Sequence, residues 1–195
     1  MTCMCVSPCH GHETSRGDGL SKQLRITINT FARIAPVGNH QPAASVGATA
    51  CTLQELWVYN EVWGTRLDIQ VAPPERGRPL PRSSAADMPQ ARIEAMLSAL
   101  EWAFDIFHRH FRQKRCTSAR ITIATDLEAE EAVEAMRTSA FDTLHRDLAI
   151  PIRNLLYYFV DAGAEIGFSF VKSPDLKAES VLSSELAKQG YGADT

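Results

Sequence analysis

The sequence has no apolar run near the roughly 18 residues that would suggest a membrane-spanning helix. Its first 20 residues also lack the positive start and the apolar core of a secretory signal peptide. We therefore expect a soluble, intracellular protein of the cytoplasm or nucleus, without a membrane partner.

A surplus of positive charge is missing too, because the formal net charge is −3. This argues against a protein that grips phosphates over a wide face, although a local basic stripe is still compatible with it. The five cysteines, at positions 3, 5, 9, 51 and 116, are odd in number and form no framework of paired bridges. Reduced thiols are expected.

Thiol and imidazole side chains crowd the first thirteen residues, and they are the ligand types of tetrahedral zinc. They are Cys3, Cys5, Cys9, His10 and His12. Zinc sites usually join two separated ligand pairs across a folded loop, whereas Ser, Gly, Pro and His dominate residues 7–21. We expect a disordered tail over residues 1–21, and metal binding there is kept as the alternative.

Three early segments alternate apolar and polar residues, which is the period of a β-strand. They are residues 23–34, 46–53 and 65–71. Turn-rich sequence separates the first two, so a three-stranded antiparallel meander is predicted. Residues 72–87 hold four of the chain's ten prolines and are predicted to form a loop.

After residue 87 the apolar period changes to 3.6, which is typical of helices. The stripe of Ile93, Leu97, Leu100, Phe104 and Phe107 predicts a helix over residues 89–111 that packs on the sheet. Two further strands, at 119–126 and 165–171, and three further helices, at 127–140, 150–163 and 175–189, complete the order. The prediction is an α/β domain with a five-stranded mixed sheet, three antiparallel strands and then two more, flanked by helices.

This order resembles that of type 1 ribonuclease H domains, across roughly residues 24–190. The more specific likenesses are ITIATD at the fourth predicted strand and the small-residue helix ARIEAMLSALEWA. The resemblance implies an RNase H-like domain over residues 22–190, followed by a short tail over 191–195. It also implies four carboxylates that hold two Mg²⁺ or Mn²⁺ ions and cleave the RNA strand of an RNA–DNA hybrid.

The positions that match the family's four acids are Asn29, Arg92, Asp126 and Glu179. Asp126 and Glu179 retain a carboxylate, whereas Asn29 and Arg92 do not, so the formal charge of the set is −1 rather than −4. Such a set should hold two Mg²⁺ ions poorly, because anionic ligands offset the desolvation of each ion. The resemblance thus predicts a degenerate site in which Arg92 pairs with Asp126 or Glu179 and fills the place of the metal.

Glu94 is a substitute for the missing helix acid only if the helix register shifts. At about 100° per residue, Arg92 and Glu94 fall on opposite sides of the apolar stripe. Structural roles also stand beside the site roles: Asp126 could cap the following helix, and Glu179 could interact with a helix dipole. The basic cluster of Arg109, Arg112, Lys114 and Arg115 is either a phosphate contact or a solvated helix end.

Three functions remain open at this point. The first is a degenerate RNase H-like domain with weak binding to an RNA–DNA hybrid or a scaffold role, which needs no cofactor. The second is an active hybrid ribonuclease that uses Mg²⁺ or Mn²⁺, with Asn29 and Glu94 completing a distorted site. The third is a protein-interaction module whose partner the sequence does not name. The family resemblance predicts that Asn29, Arg92, Asp126 and Glu179 converge at one edge of the sheet, whichever of the first two functions holds.

Overall fold

A computed structural model describes residues 4–6, 21–36, 45–60, 65–68, 76–79, 88–135, 146–172 and 175–183. Its strands are β1 Met4–Val6, β2 Lys22–Pro36, β3 Ser45–Asn60, β4 Thr65–Asp68, β5 Arg76–Pro79, β6 Ser118–Asp126 and β7 Ala164–Val171. Its helices are α1 Met88–Gln113, α2 Glu130–Ala135 and α3 Arg146–Asp161. A 3₁₀ turn, Leu127–Ala129, joins β6 to α2, and residues 177–183 are also helical.

The strands form one mixed sheet in the order β1-β7-β6-β2-β3-β4, with β5 pairing to β3. β2, β3 and β4 are antiparallel, whereas β2, β6 and β7 are parallel neighbours. Parallel neighbours need crossover connections, and the connection from β2 to β6 contains α1, whereas the connection from β6 to β7 contains α2 and α3. The predicted α/β class and its five strands are confirmed, and β1 and β5 extend the sheet beyond them.

β3 was predicted to end at residue 53, but it continues to Asn60. A β-bulge directly after Leu53 interrupts the sequence pattern there. Thr27 pairs with Glu55 while Ile28 pairs with Leu53, so Gln54 has no partner residue on β2. One extra residue on one strand shifts the parity of the side chains that follow it. The core-facing residues are therefore Cys51 before the bulge and Leu56 and Val58 after it.

The core lies between α1 and one face of the sheet. Ile93, Leu97, Leu100 and Phe107 of α1 are buried, as the helical stripe predicted, and Phe104 is partly buried. They pack with the apolar residues of β2 and β6, which include Leu24, Ile26, Ile28, Ile121 and Ile123. Near its start α1 approaches β2 closely, because the small side chains of Ala32, Ala91 and Ala95 meet there. The Thr30 hydroxyl donates to the carbonyl of Ala95 at 3.0 Å and fixes this approach.

The helix ends have local causes. Arg115 takes a left-handed φ of 52°, and the amide of Cys116 donates to the carbonyl of Phe111, which closes α1. Gly163, with φ of 79°, follows α3 in the same way. Pro151 was predicted near the start of a helix that begins at residue 150, but α3 begins at Arg146 and Pro151 lies inside it. A proline there lacks the N–H for one helical hydrogen bond.

Two segments differ from the prediction. The stretch 72–87 was predicted to be a loop, yet Arg76–Pro79 pairs with Ala48–Cys51 as β5, since the outer edge of β3 can accept a partner strand. The first residues were predicted to be disordered, yet Met4–Val6 forms β1 on the edge of β7. Residues 1–3, 7–20 and 191–195 lie outside the described ranges, so the predicted domain limits stay predictions. No helix in the described ranges is long and apolar enough to cross a membrane.

Candidate active site

Asp126, the last residue of β6, forms an ion pair with Arg92 in the first turns of α1. Arg92 Nε lies 3.2 Å from Asp126 Oδ1 and 3.4 Å from Oδ2. Asp126 is only 2% exposed, and its side chain makes no hydrogen bond to the turn that follows. The side chain of Asp126 therefore does not cap the 3₁₀ turn that follows β6. Asp126 is a buried carboxylate that pairs with the Arg92 guanidinium.

The same guanidinium reaches a second acid. Arg92 Nη2 donates to Glu128 Oε2, and Glu128 lies in the 3₁₀ turn directly after β6. Glu128 is exposed, whereas the Arg92 side chain is largely buried. An open cavity of about 770 Å³ adjoins the pair and is lined by Arg92, Leu127, Glu128, Glu130 and Glu134. Arg92 thus lies between a buried and an exposed carboxylate at the mouth of an acidic cavity.

A second part of the site lies on β2 and β3. Asn29 pairs across the sheet with Thr52, and the Thr52 hydroxyl donates to Glu179 Oε1. Glu179 is 2% exposed and belongs to the helical segment 177–183. The Thr52 hydroxyl satisfies one carboxylate oxygen of Glu179, and Thr52 is the residue that pairs with Asn29 across the sheet.

The sheet register relates the two parts. Asn29 also pairs with Ala124 of β6, two residues before Asp126, so Asn29, Ala124 and Asp126 follow one face of adjoining strands. Asn29 and Asp126 thus lie near the same end of the paired region of β2 and β6, and the predicted convergence of all four residues stays a prediction. The direct contacts join Arg92 to Asp126 and Glu179 to Thr52.

Glu94 is buried, with 7% of its surface exposed, in the turn of α1 that contacts Ala32 and Thr30 of β2. Helical geometry predicted that it would face away from Asp126, and its role in the site stays a prediction. Its burial was not expected from the stripe, because it depends on the close approach that the neighbouring alanines permit.

The basic cluster lies at the other end of α1. Arg109, Arg112, Lys114 and Arg115 are all exposed. Burial and the nearby charges of Arg109 and Lys114 lower the pKa of His110, as expected within a positive local potential. From Arg92 to Arg112 the helix rises about 30 Å, so this cluster does not join the Asp126 site.

Two residues of the site were not predicted from sequence. Glu128 was not assigned to the site, although its place two residues after Asp126 was the available signal for a shared partner. Thr52 carried no signal, because its role depends on the bulged pairing of β2 with β3. Cys3, Cys9, His10 and His12 lie outside the described residues. Within the described ranges, no three or more His, Cys, Asp or Glu side chains lie close enough to share a metal ion.

Comparison with solved structures gives the fold. The chain superposes on the N-terminal RNase H domain of a Mycobacterium tuberculosis protein with a TM-score of 0.50 and 13% identity, covering 88% of this chain and 99% of that one. It also matches the protease–reverse transcriptase of prototype foamy virus with a TM-score of 0.52 and 13% identity, covering 96% of this chain and 22% of that one. The chain has a ribonuclease H-like fold.

The RNase H1 of the halophilic archaeon Halobacterium salinarum is a further match, at 18% identity and a TM-score of 0.46, covering 85% of this chain and 98% of that one. No protein-family model and no curated protein sequence matches the chain. At these identities the likeness establishes the ribonuclease H-like fold alone, and the chemistry has to be argued from the residues of the site.

Proposed function

We propose that this chain is a catalytically degenerate ribonuclease H-like domain that binds RNA–DNA hybrid duplexes weakly and does not cleave them. The ion pair of Arg92 with Asp126 carries this proposal. Asp126 is the retained acid at the end of β6, and a guanidinium 3.2 Å away neutralises it. A fixed cation of the protein therefore stands where the family's chemistry implies a divalent ion.

The donor set supports the same conclusion. Two divalent ions need several anionic oxygens to offset their desolvation. Here Asn29 is neutral, Arg92 is cationic and directed at Asp126, and Glu179 accepts from Thr52. As arranged, these residues do not fit a pair of Mg²⁺ or Mn²⁺ ions, and we derive no cleavage step through them.

Weak binding is consistent with the polar groups of this surface. The Asn29 amide, the Thr52 hydroxyl and the Arg92 guanidinium are the kinds of group that contact sugars and phosphates. The exposed acids Glu128 and Glu134 line the same cavity as Arg92 and repel a phosphate backbone. We infer a low affinity from this balance, with a scaffold or protein-binding role as the outcome if no hybrid binds.

An active ribonuclease is the second candidate, and one observation favours it. Asp126 Oδ1 is buried and has no hydrogen-bond partner, although it lies within ion-pair distance of Arg92. A buried acceptor without a donor is costly, and a metal ion could satisfy it. Glu94 and Glu179 are the other buried acids that such a site would use.

Cleavage of a labelled RNA–DNA hybrid separates these two candidates. We expect no cleavage above background in millimolar Mg²⁺ or Mn²⁺, because Arg92 neutralises Asp126. The measurement is gel analysis of the RNA strand over hours, with the Asp126→Asn variant as the matched control. A cleavage rate that wild type shows and Asp126→Asn loses would overturn the degenerate reading.

Binding without cleavage needs its own measurement. Anisotropy of the same hybrid at two salt concentrations should show an affinity that falls as salt rises, since phosphate contacts release counterions. Arg92→Gln should weaken this binding, whereas Arg120→Gln, which removes a surface arginine paired with Glu165, should not. If the chain does not bind the hybrid even at low salt, nucleic-acid binding is excluded from the proposal and the scaffold role remains.

Restoring the acids should create a metal site. The double variant Asn29→Asp, Arg92→Glu returns two carboxylates, so we expect Mg²⁺ to raise its melting temperature by about 3 °C or more, from ligand linkage at roughly ten times Kd. Wild type should show no such shift. Thermal denaturation with and without Mg²⁺ measures this, and the control is Arg120→Glu, which repeats the charge change of the Arg92 substitution at a surface arginine. An equal shift in wild type would show that the native residues already hold the ion.

A further inference from the structure

A second surface with a different chemistry lies on the helical side of the molecule, and we call it the aromatic–basic surface. It consists of Phe104, His108, Arg109 and Arg112 of α1 together with Tyr157 and Tyr158 of α3. Two open cavities of about 450 and 420 Å³ mark it, the first lined by both tyrosines and the second by Phe104, His108 and Arg109. None of these residues belongs to the Asp126 site.

The topology brings these residues together. α1 ends just before β6 and α3 ends just before β7, and these two strands are parallel neighbours. The C-terminal turns of both helices therefore lie at the same end of the sheet. Tyr158 meets the ring of Phe104 at 4.8 Å, and Phe104 stacks on His108 at 5.9 Å. A row of rings thus runs from Tyr158 through Phe104 to His108, which lies next to Arg109 in the sequence.

Core packing explains Tyr158, whose ring contacts Phe104 and Phe107, but it does not explain Tyr157. Tyr157 is 72% exposed and Tyr158 is 37% exposed, whereas the next residue, Phe159, is completely buried. Phe159 already fills the contact with Phe104 and Phe107. Neighbouring exposed aromatic rings on a rigid helix give planar apolar faces that a ligand could cover.

The charge beside these rings is strongly positive. Residues 106–117 contain four cations, Arg109, Arg112, Lys114 and Arg115, and no acid. All four are exposed, and within the described residues none of them forms an ion pair. Cations at a helix C-terminus are favourable through the dipole alone, but one or two would serve that purpose.

Acidic residues limit the path of a ligand. Asp105 lines the cavity of Arg109, and Asp161 lines the cavity of the tyrosines. Phosphates would therefore avoid the centre of the surface and follow Arg109 and Arg112, while uncharged rings would cover the tyrosines. Such a division suits a polymer with planar bases on one side and phosphates on the other. An acidic peptide would use the cations but leave the exposed rings without partners.

We propose that the aromatic–basic surface binds single-stranded nucleic acid, with bases stacked on Tyr157 and Tyr158 and phosphates held by Arg109 and Arg112. Aromatic side chains beside a cationic track are the recurring chemistry of such binding. The site is separate from the Asp126 site, since it lies at the opposite end of α1. Strand binding at the aromatic–basic surface can therefore be tested independently of hybrid binding at the Asp126 site.

Fluorescence anisotropy of the full chain tests this with labelled single strands of RNA and of DNA of one sequence. Their length is about 20 nucleotides, which exceeds the roughly 4–16 nucleotides that a single-strand site covers. Tyr157→Ala should weaken binding by roughly fivefold to 100-fold, the range for loss of one stacked base. Tyr157→Phe, which keeps the ring, should bind as wild type does. Arg109→Ala with Arg112→Ala should lower the slope of log affinity against log salt by about 1.4, for two phosphate contacts.

Matched controls make the outcome decisive. Arg146→Ala removes an exposed cation at the far end of α3 and should leave both affinity and salt slope unchanged. Circular dichroism of each variant checks the fold. Absence of salt-sensitive strand binding in wild type would overturn the proposal, as would equal binding by Tyr157→Ala. Self-association that Tyr157→Ala abolishes would likewise overturn it, by assigning the surface to a second copy of the chain.

Discussion

Replacing Phe159 with alanine is expected to lower the free energy of unfolding by about 4 kcal/mol, the typical cost of a phenylalanine-to-alanine cavity. Phe159 is fully buried, and its ring meets Phe107 at 5.6 Å and Phe104 at 6.5 Å. It is the main aromatic anchor of α3 on α1, so the loss of its ring leaves a cavity between the two helices. Urea denaturation followed by circular dichroism measures the change.

The neighbouring Tyr157 provides the control within the same helix. Tyr157→Ala removes a ring that is mostly in solvent, so the free energy of unfolding should change by less than about 0.5 kcal/mol. If Phe159→Ala cost no more than this control, α3 would not pack on α1 through Phe159. A small effect of Tyr157→Ala also means that its loss of strand binding cannot be attributed to unfolding.

Replacing Arg92 with alanine is expected to lower the free energy of unfolding by about 3 kcal/mol, because it leaves a buried carboxylate without its cation. Asp126 is buried, and Arg92 is the described cation beside it. The measurement is urea denaturation at neutral pH and low divalent ion concentration. The surface arginine Arg120, which pairs with the partly exposed Glu165, is the control, and Arg120→Ala should cost less than about 1 kcal/mol.

A double-mutant cycle assigns this effect to the pair. In Arg92→Ala, Asp126→Asn the uncompensated charge is absent, so part of the stability should return, with a coupling of about 1–3 kcal/mol. If Arg92→Ala were no worse than Arg120→Ala, the Asp126 carboxylate would not depend on the guanidinium. The proposal of a protein cation in place of a metal would then lose its support.

Most of the fold could be predicted because its signals are local. Alternation along β2 and β6 and the stripe of α1 each follow from the burial of one face, and these elements were found within a few residues of their limits. β5 could not be found this way, because the residues Arg76–Pro79 carry no apolar alternation and their strand form depends on β3 as a partner. The start of α3 was missed since Pro151 suggested a boundary where the helix continues.

The contacts of the site also differ in whether they could be predicted from local sequence. The pairing of Arg92 with Asp126 is one of the two pairings that the family resemblance implied, and Glu179, the other predicted partner, instead accepts from Thr52. The contact of Thr52 with Glu179 joins residues 127 positions apart in the sequence, and it exists only in the bulged register of β2 and β3. The aromatic–basic surface also needed the tertiary structure, since only the parallel order of β6 and β7 brings the ends of α1 and α3 together.

The bulge at Gln54 has a consequence for how β3 tolerates changes of length. Without Gln54, Leu53 and Leu56 would be separated by a single residue, and strict alternation would direct both toward the core as they are now. Deletion of Gln54 therefore conserves the inside and outside of the strand, whereas deletion of any neighbour within Leu56–Val58 would invert the remainder. Evolution could gain or lose a residue at this position without rebuilding the core, while the angle at which Thr52 presents its hydroxyl to Glu179 would change.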